Sequence, residues 1–291
     1  MNVLNGSELF NIVNNNFKSF PISKIFIGNS GFMYLSGSII EGFGNESSDV
    51  DLYIIYNEMD KKDIINQIPD FGNTISDECD EFIKYHFEYD GKRFDCELWR
   101  IDQVIEIIEE LNNIKSLNDS GHHIISTSKL EFLHRLKIGV SIYNSHNFNK
   151  IKKSVNFLYL NLYTVLQMMY MQDRILEDVQ GALLSKDIGT SFFSAKKLLK
   201  YAIHSYLAYF GETNISEKWI YRKLKRYSYN YNNDELLEKY LELQSTEYNE
   251  LKAEDFVNRV ISFCNKLNSN IYRKMESYSR YFPENEILIS K

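Results

Sequence analysis

A chain of 291 residues, 44% hydrophobic and 25% charged, has enough length for one large domain or two ordinary ones, each with its own core. Its formal net charge of −7 leaves nucleic acid open as a partner but does not favour an extended footprint, and no apolar run of about 18 residues is present to span a membrane. Three scattered cysteines, Cys79, Cys96 and Cys264, lack metal-ligand spacing, and the N-terminus lacks a basic segment followed by an apolar run; the expectation is a cytoplasmic chain with reduced thiols.

In chain order, residues 7–18 predict a short amphipathic helix capped by Ser7 and stopped by Pro21. A brief apolar segment, Ile25 to Ile27, and a strand from Phe32 to Leu35 lead into a Gly37-Ser38 turn and a polar loop. A strand from Val50 to Tyr56 follows, with Asp49 and Asp51 at its opening. Residues 60–67 read as a helix closed by Pro69 and a Gly72-Asn73 turn. Two alternating strands around Asp90-Gly91 read as a hairpin, in whose second strand Phe94, Cys96 and Leu98 share one face and Asp95, Glu97 and Trp99 the other.

From residue 101 the pattern turns helical. Helices are expected over 101–114 and 126–140, the second carrying His134 and Arg135, on either side of a polar connector with Gly121, His122 and His123. Those histidines have no matching Cys/His set and read as loop residues. A long helical pattern over 150–179 ends at Gly181, and its Met168 to Met171 stripe reads as packing. Asp187 is placed to cap a helix over 188–210, and further helices are expected near 216–228, 234–246 and 254–278. The absence of proline from residues 70–282 suits a helical bundle.

The chemistry concentrates near the N-terminus. Strand side chains alternate between faces, so Asp49 and Asp51 point the same way and repel each other unless a cation sits between them. Magnesium takes carboxylate oxygens and leaves positions for water and phosphate. A Gly-Ser turn lets backbone N–H groups and a small hydroxyl approach a phosphate closely. An isolated Asp-x-Asp pair is usually solvated surface; here the turn and two apolar strands accompany it. Asp95 returns as a third acid able to complete a two-magnesium site, and Glu97, further along the same face, is a second candidate ligand or general base.

Gly37-Ser38, a spacer of about ten residues and Asp49-Val50-Asp51-Leu52 together resemble the signature of the polymerase-β-like nucleotidyltransferases. Arg93-Phe94-Asp95-Cys96-Glu97-Leu98 is similar to that superfamily's third-carboxylate strand. Ser48, and the segment from Asp187 through Lys196 to Lys218-Trp219, resemble the streptomycin/spectinomycin (aminoglycoside) adenylyltransferases. The resemblance implies an α+β fold. A catalytic domain, a mixed sheet with flanking helices, would span residues 1–115, and an all-helical bundle over 116–291 would close a nucleotide and acceptor cleft. It also implies triphosphate contacts from Gly37, Ser38 and Ser48, magnesium on Asp49, Asp51 and Asp95, and nucleotide contacts from Asp187, Lys196 and Lys218. The implied activity moves an NMP, from ATP or another NTP, to an acceptor hydroxyl and releases pyrophosphate, with Asp95 or Glu97 as base. A small acceptor such as an aminoglycoside-type antibiotic is expected. A macromolecular acceptor (tRNA or a protein side chain) and a catalytically silent nucleotide-binding module are the alternatives.

Overall fold

The structure is a computed structural model and describes residues 11, 23, 25–57, 61–67, 75–78, 82–89, 91–113 and 125–279. The expected helix over 7–18 with its Ser7 cap, the Pro21, Pro69 and Gly72-Asn73 stops, and Cys79, Asp90, Gly121, His122 and His123 lie outside the described residues. The chain divides into two compact units: Met1–Asn113 with Thr127–Asn156, and Ile114–Ser126 with Phe157–Lys291. The fold is α+β.

The first unit is organised by a six-stranded mixed sheet. Its elements run β1 (Phe32–Ser36), a one-turn helix α1 (Gly37–Ile40), β2 (Val50–Tyr56), α2 (Lys61–Gln67), β3 (Ile75–Glu78), β4 (Ile83–Tyr89), β5 (Lys92–Arg100), α3 (Ile101–Asn112), α4 (Thr127–Ile138), β6 (Val140–Tyr143) and α5 (Ser145–Ser154). The strand order is β3-β4-β5-β2-β1-β6. β2 and β5 run parallel, which requires the long crossover between them, and the other pairs are antiparallel. Tyr89 pairs with Lys92, so the hairpin closes through the two expected residues, with Gly91 at φ 67.

Both faces of the sheet are covered, which is why β1 and β2 read as apolar runs without alternation. On one face Met33, Leu35, Leu52, Ile54, Cys96 and Leu98 join Ile25, Ile27 and Ile64 in a single core. On the other, α4 and α5 lay aromatic rings against the strands. Phe132 packs 6.3 Å from Tyr53 and 4.6 Å from Trp99, and Phe148 lies 5.3 Å from Tyr34. The acids Asp51, Asp95 and Glu97 belong to this second face.

Two expectations are corrected here. The sheet-bearing part does not end at residue 115, because β6 pairs with β1 (Tyr34 opposite Ser141) and draws residues 127–156 into the first unit. A four-residue strand flanked by helices carries too little periodicity to stand out in the sequence. Nor does the helical run over 150–179 stop at Gly181. It breaks earlier, between α5 and the next helix, and Gly181 lies inside α6 (Phe157–Leu184). A mid-helix glycine costs about 1 kcal/mol relative to alanine, too little to end a helix whose apolar face is buried.

The second unit is helical among its described residues. α6 and α7 (Ile188–Tyr209) meet at a tight turn where Lys186 adopts a left-handed φ of 59. A 3-10 turn (Glu217–Trp219), α8 (Ile220–Tyr231), α9 (Glu235–Ser245) and α10 (Glu250–Ser279) follow. Phe192, Leu199, Ile203, Leu224, Leu243, Phe256 and Val260 form its core. No helix among the described residues is long and apolar enough to cross a membrane.

Candidate active site

β1 ends at Ser36, and the next residue turns the chain. Gly37 has φ +77, and a methyl group on its α-carbon would overlap the Asp51 carboxylate. Only glycine accommodates both the left-handed conformation and a carboxylate resting on the backbone. The antiparallel register explains the contact, since Ser36 is paired with Asp51. The polar loop between the strands thus returns the chain so that an acid faces the turn, and its own bonds hold it there. Phe43 and Gly44 N–H donate to the Ser38 carbonyl at 2.7 and 2.8 Å, and the Ser48 hydroxyl accepts from Asn45 N–H at 2.9 Å. Ser38 is half-buried on the exposed side of α1, whereas the Ser48 hydroxyl is engaged within the loop.

The parallel pairing of β2 with β5 sets Asp51 beside Asp95 and Tyr53 beside Glu97. Asp49 lies just before β2. Each of the three aspartates has a basic neighbour: Arg93 is 2.7 Å from Asp49, His86 Nδ1 is 2.7 Å from Asp95, and Arg135 is 3.9 Å from Asp51. Arg93 also donates to the Ser47 carbonyl at 2.8 Å and pins the loop. These side chains are a quarter to two-thirds exposed, so ligands can reach them and the pairs are weak in water.

Among the described residues no group of three or more His, Cys, Asp or Glu side chains is arranged to hold a metal ion. Asp95 turns toward His86 Nδ1, and Asp49 toward the Arg93 guanidinium. The donor set that remains suits a hard cation: Asp49 and Asp51 offer carboxylate oxygens on one strand end, beside the Gly37 turn.

Glu97 differs from the aspartates. Burial is the largest influence and pushes its carboxyl above the usual 4.5; the Trp99 indole N–H, 3.0 Å away, and Lys84 pull it back, and Asp51 adds to the rise. Arg135 is also enclosed. Burial opposes its charge, but Tyr53, Asp51 and Glu41 more than offset that and hold the guanidinium charged. Ser36 Oγ donates to the Arg135 carbonyl at 2.8 Å, which locks α4 to the end of β1. His134 lies 3.5 Å from the buried Glu41, and burial lowers its pKa.

Three further candidates lie in the second unit. The Asp187 carboxylate accepts from Thr190 N–H at 3.1 Å and caps α7; the Thr190 side chain first, and this backbone bond second, lower its pKa. Lys196 donates to the Gln244 and Thr246 carbonyls at 3.0 and 2.7 Å, closing the C-terminal end of α9, with its ammonium 5.1 Å from the Phe192 ring. Lys218 is exposed, 5.1 Å from the Trp219 ring.

Sequence reasoning missed His86, Arg93 and Arg135 as partners of the acids. For His86 a signal existed: a two-residue turn at 90–91 makes paired positions sum to 181, which sets His86 opposite Asp95 and Lys84 opposite Glu97. Arg135 had none, because it reaches Asp51 through tertiary packing of α4.

No protein-family model matches the chain, and no curated protein matches it. Among solved structures it is similar to a nucleotidyltransferase-like protein from Exiguobacterium sibiricum 255-15, at 11% identity and a TM-score of 0.47, over 96% of this chain and 81% of that one.

Proposed function

We propose that this chain is a magnesium-dependent nucleotidyltransferase that moves an NMP, AMP from ATP, onto the hydroxyl of a small acceptor of the aminoglycoside type. The observation that carries the reading is the Asp51 carboxylate resting on the α-carbon of Gly37 with Asp95 beside it in register. That arrangement gives one strand end the two things phosphoryl chemistry needs, an open backbone turn for phosphate and oxygens for a cation. Asp49 and Asp51 would hold magnesium, which when bound neutralises phosphate charge and favours in-line displacement at the α-phosphorus.

The chain's own residues do the rest. The Gly37-Ser38 backbone and the Ser38 hydroxyl receive the triphosphate. Arg93, beside Asp49, would offer its guanidinium to phosphate oxygens. Arg135, 3.9 Å from Asp51, sets a positive charge beside that carboxylate. Asp95, open to solvent, or Glu97, more enclosed, takes the proton from the acceptor hydroxyl. Asp187, Lys196 and Lys218 are the second unit's candidates for the nucleotide. Lys218 has an exposed ammonium for departing pyrophosphate, whereas Lys196 is tied to the α9 carbonyls.

Incubation with α-labelled ATP, magnesium and a panel of aminoglycosides tests this: label should move to an acceptor and pyrophosphate should appear. Asp51→Asn should lower turnover by about a thousandfold or more with an unchanged far-UV spectrum. Near wild-type turnover by that variant sinks the assignment.

A further inference from the structure

Helix α8 carries Arg222, Lys223, Lys225 and Arg226 and no acidic residue, in a chain with 40 acidic and 33 basic residues. Two of those cations are satisfied within the fold. Lys223 is fully buried, with Nζ 2.9 Å from His204 Nδ1 and a bond to the Asn214 carbonyl, and Arg226 is clasped by Glu212. Arg222 and Lys225 meet no carboxylate among the described residues. Their charges lie over rings instead: Arg222 is 5.9 Å from the Trp219 ring centre and Lys225 is 5.7 Å from that of Tyr221. Arg222, Lys225 and Tyr229 follow one another at steps of three and four, so they share a face about 10 Å long. Tyr221 is 49% exposed and Tyr229 89%.

A solvated helix face ordinarily mixes charge signs and avoids bare aromatic rings. Here cations without carboxylates alternate with rings open to solvent. An acidic peptide would engage the cations and leave the rings unused. A membrane would need aliphatic anchors, but the aliphatic residues of α8, Ile220 and Leu224, are buried. Single-stranded nucleic acid uses both features, phosphates on the cations and unstacked bases on the rings.

We propose that the outer face of α8, built on Tyr221, Arg222, Lys225 and Tyr229, binds single-stranded nucleic acid. The footprint is short, which fits a chain whose net charge disfavours a long one. The inference does not rest on the transfer chemistry, and Lys218, assigned above to the nucleotide, is left out of its test.

Fluorescence anisotropy of the full chain, without ATP or magnesium, decides it. The probes are labelled single-stranded RNA and DNA of roughly 12 nucleotides, the matching duplex, and phosphatidylserine vesicles, at salt from about 50 to 200 mM. Binding of either single strand is expected, weakening with salt. The double variant Arg222→Glu/Lys225→Glu should bind at least tenfold more weakly and reduce the log–log salt slope by about 1.4, two phosphate contacts at ~0.7 each. Tyr229→Ala should weaken binding by roughly 5- to 100-fold with the slope unchanged. Arg222→Lys/Lys225→Arg should retain binding. The proposal is overturned if the wild-type chain binds neither strand, if the charge reversal or Tyr229→Ala binds as wild type does, or if duplex or vesicles bind as tightly through the same residues.

Discussion

At the scale of single residues, Gly37 and Glu97 are the most demanding positions of the site. Gly37→Ala adds a methyl group where the Asp51 carboxylate lies and strains a φ of +77. It should cost roughly 1–3 kcal/mol in urea unfolding and displace Asp51. An alanine variant as stable as wild type would mean the turn is not built as described. Glu97 governs a pH dependence. Its carboxyl is pushed above 4.5 by burial, so the folded chain holds that proton more tightly than the unfolded chain does. The stability this contributes is present below the ordinary value and is lost as pH rises through the raised one. Above that window the ionised carboxylate is a cost. Glu97→Gln should therefore raise the urea midpoint relative to wild type at about pH 7, and the difference should vanish by about pH 4. A constant difference across that range contradicts the burial argument.

The elements show how much of the fold can be read locally. Helix α6 runs through Gly181, whose α-hydrogen faces open space, so Gly181→Ala should raise stability by about 0.5–1 kcal/mol. A destabilised variant in thermal unfolding would mean that the helix is interrupted there. In the first unit, Phe132 of α4 packs against Tyr53 and Trp99. Phe132→Ala should cost about 3–5 kcal/mol and loosen Arg135 from Asp51, so transfer should fall along with stability. The β4–β5 hairpin, by contrast, was legible from its turn and its alternation, and its register follows by counting. β6 was not legible: four residues gain their strand conformation from β1, which lies more than a hundred positions earlier.

For the whole molecule, ligand binding and stability are linked. Magnesium and ATP together should stabilise the chain, by about 2.7 kcal/mol at a hundredfold excess over Kd. Asp49→Asn or Asp51→Asn, or a chelator, should remove the effect. A melting temperature indifferent to both additions would leave the carboxylates without their cation. What the sequence determined by itself was whatever close neighbours along the chain decide: the apolar strands, the glycine turn, the hairpin, and most helices, with the Asp187 cap among them. Those follow from residue type and a period of two or 3.6. Only the tertiary structure decided that β6 joins the sheet and that Arg135 and His86 lie beside Asp51 and Asp95. Such pairings depend on which surfaces meet after packing, and a contact between residues 51 and 135 leaves no local pattern in the chain that could announce it.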